Sequence, residues 1–296
     1  MSRAAEALGT SQPAVSQQIR MLEEELGVAL FRRTRNRLTG LTSQGETALE
    51  SARLALAEIA KLQTVSQGRT GSSLATLRVA STHAQARYAL PDALRAFRGR
   101  YPAIQVQIVY KHDEELWQLV QNGEVDLAVT TDTKDLPRSL LEIPCYPMKR
   151  IVIAPRGHPL LRVRRLTMEA IAEYPLVTYD ERSSGRRRLM RAFSVLGYTP
   201  RIAVSAADED VIKACVETGL GIAIVASIVF DRKRDIRLGA VDVTPLLEPS
   251  TTSVVLRRNM VGHSHVADFI RAFAPAWSAA KLERHASAVV HDAPTP

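Results

Sequence analysis

Residues 4–37 read AAEALGTSQPAVSQQIRMLEEELGVALFRRTRNR. The Ala/Leu-rich segment from Arg3 to Leu8 predicts a short helix that stops at Gly9. Ser11 is placed to cap a second helix, with Pro13 in its first turn, where a missing N–H costs nothing. That helix is expected to run to about Glu25. Val15, Ile19, Leu22 and Leu26 recur at spacings of four, three and four, so they share one face that asks to be buried. Ala14, Ser16, Gln17 and Arg20 lie on the other faces. Two helices joined by a short Gly-containing turn, the second with small polar residues facing out, form the helix-turn-helix pattern. Its second helix enters the DNA major groove.

After Gly27, Val28 to Phe31 are followed by Arg32, Arg33, Arg35 and Arg37, and then by Leu38 to Thr42 as a short strand or turn. This reads as a wing, a hairpin whose arginines reach phosphates or the minor groove. The DNA-contacting candidates are Ser11, Gln12, Pro13, Ala14, Ser16, Gln17 and Arg20 on the helix, and Arg32, Arg33, Arg35 and Arg37 on the wing. Each phosphate neutralised should steepen the log–log salt dependence by about 0.9. A short helical hairpin alone imitates the first part, and an arginine run alone is often a solvated face. Their combination in this order points to DNA.

At 296 residues the chain has room for two or three domains, and 46% hydrophobic with 24% charged residues is a soluble globular composition. The net charge of +8 suits an anionic partner without choosing between nucleic acid and small anions. Residues 1–68 hold eight Lys/Arg against seven Asp/Glu, so the local arginine run carries the DNA inference, not bulk charge. Cys145 and Cys215 sit in apolar contexts and read as buried structural thiols, without zinc-site spacing. No signal peptide or long apolar run is present, so a cytoplasmic protein without a membrane partner is expected.

From Ser43 to about Ser66 the pattern is helical, with Leu49, Ala52, Leu56 and Ile59 forming a heptad-like stripe. Ser43 with Glu46 resembles a capping box. A long helix without its own core suggests pairing with a second copy, and two-fold symmetry would then ask for a pseudo-palindromic DNA site. Gln67 to Ser73 reads as a linker.

Beyond it, strand and helix patterns alternate: strands at Ala75–Ala80, Ile104–Tyr110, Asp126–Thr130, Lys149–Ala154, Leu176–Tyr179, Ile202–Ser205, Ile222–Ala226 and Ser253–Arg257, with helices between them. This argues for an α/β domain of two lobes with mainly parallel sheets and a ligand in the crevice beyond the strand C-termini. The strand-to-helix junctions there supply hydroxyls and free N–H groups suited to a small anion. The candidates are Ser81, Thr82, His83, Gln85, Thr131, Thr178 and Ser184. Any one of these Ser or Thr residues could instead be only a helix cap; several at one topological position favour an anion pocket. Among Arg182, Arg186, Arg187 and Arg188, Arg186 is expected to point inward and the others to be solvated. No G-x-S-x-G elbow, H-E-x-x-H, P-loop or G-x-G-x-x-G occurs, so a sensor is favoured over an enzyme, with no cofactor and no metal.

The N-terminal stretch, from AAEALGTSQPAVSQQIRML to GVALFRR, resembles the signature of LysR-type transcriptional regulators nearly residue for residue. Members of that family usually carry another helix ahead of the one that starts here at Arg3, so either an upstream start or a weakened DNA-binding unit is expected. STHAQARYALP (Ser81 to Pro91), IPCY (Ile143 to Tyr146), YPLVTY (Tyr174 to Tyr179), DVIKACVETGLG (Asp210 to Gly221) and RAFAP (Arg271 to Pro275) resemble the CysB branch of the family. The resemblance implies a periplasmic-binding-protein-like effector domain and control of sulfur assimilation, cysteine biosynthesis or organosulfur use. It implies sulfate, thiosulfate, O-acetylserine or N-acetylserine as effector, held by Thr82, Gln85, Thr131 and Ser184. It also implies double-stranded DNA as partner, self-association as a dimer or dimer of dimers, and RNA polymerase as a further contact. Ala84 stands where the branch commonly has Thr, and Ser184 replaces a Thr. The expected division is a winged helix-turn-helix at 1–42, a dimerisation helix at 43–67, a flexible linker at 68–74 and an effector domain at 75–277. Lobe I of that domain takes about 75–146 and 252–277, lobe II about 147–251, and 278–296 is a frayed tail. The alternatives are a LysR-type regulator of another small acid, and a small-molecule binding protein whose truncated N-terminus no longer binds DNA.

Overall fold

The protein is described here by a computed structural model that covers residues 2–7, 9–34, 37–49, 51–52, 55 and 76–288. It divides into two compact units, Met1–Arg69 and Thr70–Pro296. In the first, helix α1 (Ser2–Ala7) precedes α2 (Gln12–Leu26), and strands β1 (Phe31–Thr34) and β2 (Arg37–Leu41) form an antiparallel hairpin. The wing reading therefore holds as a backbone shape. Ser11, in extended conformation, accepts the Ala14 N–H and caps α2. Gly27, at φ 68°, closes the helix in a left-handed turn that sends its N–H back to Glu23 and Glu24 carbonyls. Helix α3 starts at 43 and is described through 49. Its cap is Thr42, not the expected Ser43–Glu46 box: Thr42 Oγ1 accepts the Gly45 N–H, while the Ser43 hydroxyl turns to Gln44. The rest of the expected 43–67 helix beyond 55, and the 68–74 linker, lie outside the described residues.

One expectation for this unit is corrected. Of the α2 stripe only Val15 is buried; Leu22 is 45% and Leu26 49% exposed. The six-residue α1 buries only Ala5, and among the described residues the Leu22–Leu26 end of the stripe is exposed.

The second unit has two lobes. In lobe I the sheet order is β4-β3-β5-β12-β6, built from β3 (Thr76–Ser81), β4 (Gln105–Tyr110), β5 (Leu127–Thr130), β6 (Leu140–Pro147) and β12 (Thr251–Arg257). Helices α4 (Leu90–Arg100), α5 (Asp113–Gln121) and α9 (Ser264–Phe273) cover it, and Leu77, Phe97, Leu127 and Phe269 form its fully enclosed centre. Lobe II contains β7 (Arg150–Pro155) flanked by β10 (Ala223–Ala226) and β11 (Leu238–Asp242), and the parallel pair β8 (Leu176–Tyr179) and β9 (Ile202–Ala206). A Leu176–Ile222 bridge joins the two sets. Helices α6 (Met168–Ala172), α7 (Ser184–Val195) and α8 (Glu209–Glu217) pack there, burying Ile171, Phe193 and Ile212. Each such side chain contributes about 1.5–3 kcal/mol. The chain crosses between lobes twice, and the crossings touch where the Met148 N–H donates to the Ser250 carbonyl, at 2.8 Å.

The sheets are mixed, not mainly parallel. Strands β3, β4 and β5 run parallel, as do β8 and β9, but β12 is antiparallel to β5 and β6, and β7 to β10 and β11. Strands β7 and β12 enter their sheets from the other lobe, so no crossover helix sets their direction. Hydrophobic periodicity shows that a strand exists and is silent about its direction. The expected frayed tail is corrected as well: Ala279–Ala288 is helix α10, whose Leu282 is buried and whose His285 ring meets the Glu142 carbonyl at 2.7 Å. The indole of Trp277 donates to the Pro144 carbonyl. Residues 289–296 lie outside the described residues.

Candidate functional site

In the N-terminal unit, Ser11, Gln12, Pro13, Gln17 and Arg20 are exposed, and Ala14 and Ser16 half-exposed, so α2 presents the face that the sequence marks for DNA. On the wing, Arg32 Nε donates to the Leu41 carbonyl at 2.7 Å, and Arg33 pairs with Glu23 at 2.8 Å. Arg37 begins β2, and Arg35 lies outside the described residues. Glu23 also accepts the Leu30 and Phe31 N–H groups, tying the wing to α2. Burial acts to raise the Glu23 pKa, but these two N–H groups and Arg33 overcome it and leave it below the ordinary value. Arg32 and Arg33 therefore hold the wing together in addition to carrying charge.

In the second unit a cavity of about 500 Å³ opens where both lobes present strand C-termini and helix N-termini. From lobe I come Thr82 and His83 after β3, Asp113 at the start of α5, and Thr131 after β5. Lobe II supplies Arg150 at the start of β7, Asp180 after β8, Ser183 and Ser184 at the start of α7, and Asp208 and Glu209 at the start of α8. Neither His112 before α5 nor Ser183 before α7 makes a side-chain cap, so the first N–H groups of those helices are left for whatever enters.

The charges around the cavity are three cations (Lys111, Arg150, Arg182) and five carboxylates (Asp113, Glu115, Asp180, Asp208, Glu209). Most are matched internally. Asp113 accepts hydroxyls from Thr130 at 2.8 Å and Ser184 at 2.5 Å, the second across the lobes. Glu209 meets His83 at 3.0 Å and takes a hydrogen bond from Tyr179. Burial outweighs those bonds and lifts the Glu209 pKa; burial likewise drives the Tyr179 hydroxyl well above its usual value. Glu115 pairs with Arg182 at 3.0 Å and more loosely with Lys111 at 3.9 Å. Arg150 differs. Among the described residues its guanidinium has no hydrogen bond or ion pair. Burial lowers its pKa, the nearby Tyr179, Asp113 and Glu209 raise it, and Arg188 lowers it further. An arginine remains charged throughout.

The structure brings together Thr82, His83, Gln85, Thr131 and Ser184 around this cavity. Gln85 is buried, within hydrogen-bond reach of Thr252 and Tyr146. It opens a π-helical segment, Gln85–Ala89, that leads into α4. Such wide turns gather at functional sites and carry no sequence signature. Three expected residues do not line the cavity. Ser81 is fully buried, with its hydroxyl toward the Val129 carbonyl at 3.4 Å. Thr178, within β8, is buried and its hydroxyl has no partner. Arg186 turns away, donating to the Tyr179 carbonyl and to Ser205. Arg186 and Arg188 are two residues apart and so about 200° apart around α7; with Arg186 over β8 and β9, Arg188 faces the opposite side. Arg188 is as enclosed as Arg186 but lies against the other lobe, donating to the Thr131 carbonyl at 2.8 Å, while Arg187 bridges to Asp132 and Glu114; neither Arg186 nor Arg188 lines the cavity. Sequence reading missed Arg150. Its only local signal was a basic residue at the start of a strand, which is too common to single out.

Two family profiles match the chain, the "Bacterial regulatory helix-turn-helix protein, lysR family" over residues 1–46 and the "LysR substrate binding domain" over 70–278. The HTH-type transcriptional regulator SsuR of Burkholderia cenocepacia is 38% identical over 282 residues, covering 95% of this chain and 92% of the relative. The regulator CysB of the same organism is 35% identical over 284 residues, covering 96% and 91%. The cofactor-binding domain of the Cbl transcriptional regulator superimposes with a TM-score of 0.66 at 31% identity, covering 73% of this chain and 95% of that domain. These relatives are transcriptional regulators and not enzymes. With a helix-turn-helix, a two-lobed second unit and both profiles in order along it, the chain belongs to the LysR family of bacterial transcriptional regulators.

Proposed function

We propose that this regulator binds double-stranded DNA through α2 and the wing, and that a small acid bound in the interlobe cavity controls it. The observation that carries the effector reading is Arg150: a charged, unpartnered guanidinium in a cavity that also receives the uncapped start of α7. An unpaired charge away from water is costly unless a ligand completes it. Thr82, Gln85, Thr131 and Ser184 complete the pocket in this reading, and residues 75–277 form the effector domain. The motifs shared with the CysB branch support control of sulfur assimilation, cysteine biosynthesis or organosulfur use, with sulfate, thiosulfate or an acetylserine as effector. The protein acts in the cytoplasm as a dimer or dimer of dimers. The effector works by binding one of two assembly states more tightly, which shifts the spacing of the DNA-binding units; equal affinity for both would shift nothing.

The test is thermal stability of the full chain with each of these anions, against sodium chloride at matched ionic strength. A ligand at 100 times its dissociation constant should add about 2.7 kcal/mol. A selective shift that disappears in Arg150→Met supports the reading. A shift that survives Arg150→Met would remove the cavity from it, and no shift with any anion would remove the sulfur assignment.

A further inference from the structure

Most of the chain's excess positive charge lies outside both the DNA-binding unit and the effector cavity. Of the net charge of +8, residues 1–68 supply little, with eight Lys/Arg against seven Asp/Glu, and the cavity holds more carboxylates than cations. The excess gathers on lobe II. Residues 156–165, RGHPLLRVRR, hold Arg156, Arg162, Arg164 and Arg165 and no carboxylate, and all four arginines are exposed. Residues 231–237, DRKRDIR, hold Arg232, Lys233, Arg234 and Arg237, again all exposed. Among the described residues the one ion pair that these eight cations make is Arg234 with Asp231, at a loose 3.7 Å.

The fold joins these two segments into one face. The Arg156 N–H donates to the Arg237 carbonyl at 2.7 Å, and the Arg156 guanidinium reaches the Ile236 carbonyl at 3.4 Å. The short helical turn Pro159–Arg162 lies against β11, where Gly239 leaves room for a Leu161 side chain that a Cβ would strike. Arg156, Leu161, Arg232 and Ile236 line a single cavity of about 320 Å³. Asp235 fixes the turn that carries Arg232, Lys233 and Arg234. It is buried, pairs with Lys213 at 3.1 Å and accepts the Asp231 N–H at 2.8 Å. Asp231 in turn accepts the Lys233 N–H at 2.8 Å. The turn therefore uses one of its two carboxylates internally and holds three consecutive cations in solvent. Like charges gathered this way repel one another, and a polyanion that approaches them relieves the repulsion.

We propose that this face of lobe II binds the sugar-phosphate backbone of the DNA that the regulator holds. This rests on the DNA-binding reading above and extends it from the N-terminal unit to the second unit. All of the eight cations except Lys233 are arginines, whose planar forks match phosphate oxygens two at a time. Such contacts add affinity without reading sequence. DNA is favoured over an acidic protein because the same chain already holds it, so this second contact forms at a high effective concentration.

The experiment measures binding of the full chain to a long mixed-sequence duplex by fluorescence anisotropy over a series of potassium chloride concentrations. One variant is Arg232→Gln/Lys233→Gln/Arg234→Gln, and a second is Arg162→Gln/Arg164→Gln/Arg165→Gln. The control, Arg98→Gln/Arg138→Gln/Arg284→Gln, removes the same charge from exposed arginines of the second unit outside this face. Circular dichroism checks that each is folded. Each cation that meets a phosphate adds about 0.9 to the log–log salt slope, so at least one of the two lobe II variants should flatten it by about 0.9 to 2.7 and the control should leave it unchanged. A slope unchanged in both lobe II variants, or flattened as much in the control, overturns the proposal while DNA binding through α2 and the wing stands. Binding of polyglutamate that both lobe II variants abolish, with an unchanged DNA slope, would give the face to an acidic protein instead and overturn it too. If the parent chain does not bind the duplex at any salt concentration, the DNA-binding reading fails and this proposal with it.

Discussion

The bond between Ser184 and Asp113 ties the lobes together beside the cavity, and a double-mutant cycle can measure it. The Ser184 hydroxyl, on α7 of lobe II, donates at 2.5 Å to the Asp113 carboxylate, at the start of α5 in lobe I, and both residues are buried. A hydrogen bond to a charged partner contributes about 1.5–3 kcal/mol, so Ser184→Ala should lose about that much. Asp113→Ala removes the acceptor for Thr130 as well, at 2.8 Å, but that hydroxyl can fall back on the Asp132 carbonyl at 3.3 Å. The lost carboxylate also gives up about 0.3–1 kcal/mol at the α5 N-terminus. Asp113→Ala should then cost about 2–4 kcal/mol, a large part of a typical 5–15 kcal/mol stability. Because Ser184 has nothing left to lose once Asp113 is gone, the double variant should cost little more than Asp113→Ala alone, a coupling of about 1.5–3 kcal/mol. Urea unfolding followed by tryptophan fluorescence reads this unit alone, since both tryptophans, Trp117 and Trp277, lie in it. Additivity within about 0.5 kcal/mol would refute the bond across the lobes.

Three further outcomes are expected. Gly45→Ala would drive a methyl into the Leu30 carbonyl, so it should destabilise the N-terminal unit by about 1–3 kcal/mol. At an unconstrained helical position the same change stabilises by about 1 kcal/mol, so the sign of the melting shift decides. His158 Nδ1 accepts the Leu160 N–H at 3.2 Å, and burial holds its pKa below 6.5. The neutral ring is the folded form, so its contribution is present above pH 6.5 and fades as pH falls through the folded value; a His158→Asn variant should lose least against the parent in acid. If the parent's advantage grows on acidification, that account is wrong. Arg20, exposed on α2, should contribute one phosphate contact, so Arg20→Ala should flatten the log–log salt dependence of DNA binding by about 0.9; an unchanged slope would place Arg20 off the DNA.

By itself the sequence determined what is local. Ser11, Pro13 and Gly27 delimit α2 through cap and backbone chemistry within a few residues, and the Leu176–Tyr179 strand follows from composition alone. The two-lobed architecture and the gathering of Thr82, Gln85, Thr131 and Ser184 were also legible, because βα junctions in such sheets share one edge. Tertiary structure decided the rest. It set the direction of β7 and β12, which follows from where the chain crosses between lobes. It turned Arg186 onto Tyr179 and Ser205 and Arg188 onto the opposite lobe, a matter of helix rotation, and left Leu22 and Leu26 exposed. It singled out Arg150, which is one arginine among many until the other charges find partners elsewhere. Gln85 meets Thr252 across 167 residues of chain. Propensity and capping act over a few residues, whereas which charge stays unpaired depends on surfaces that only folding brings together.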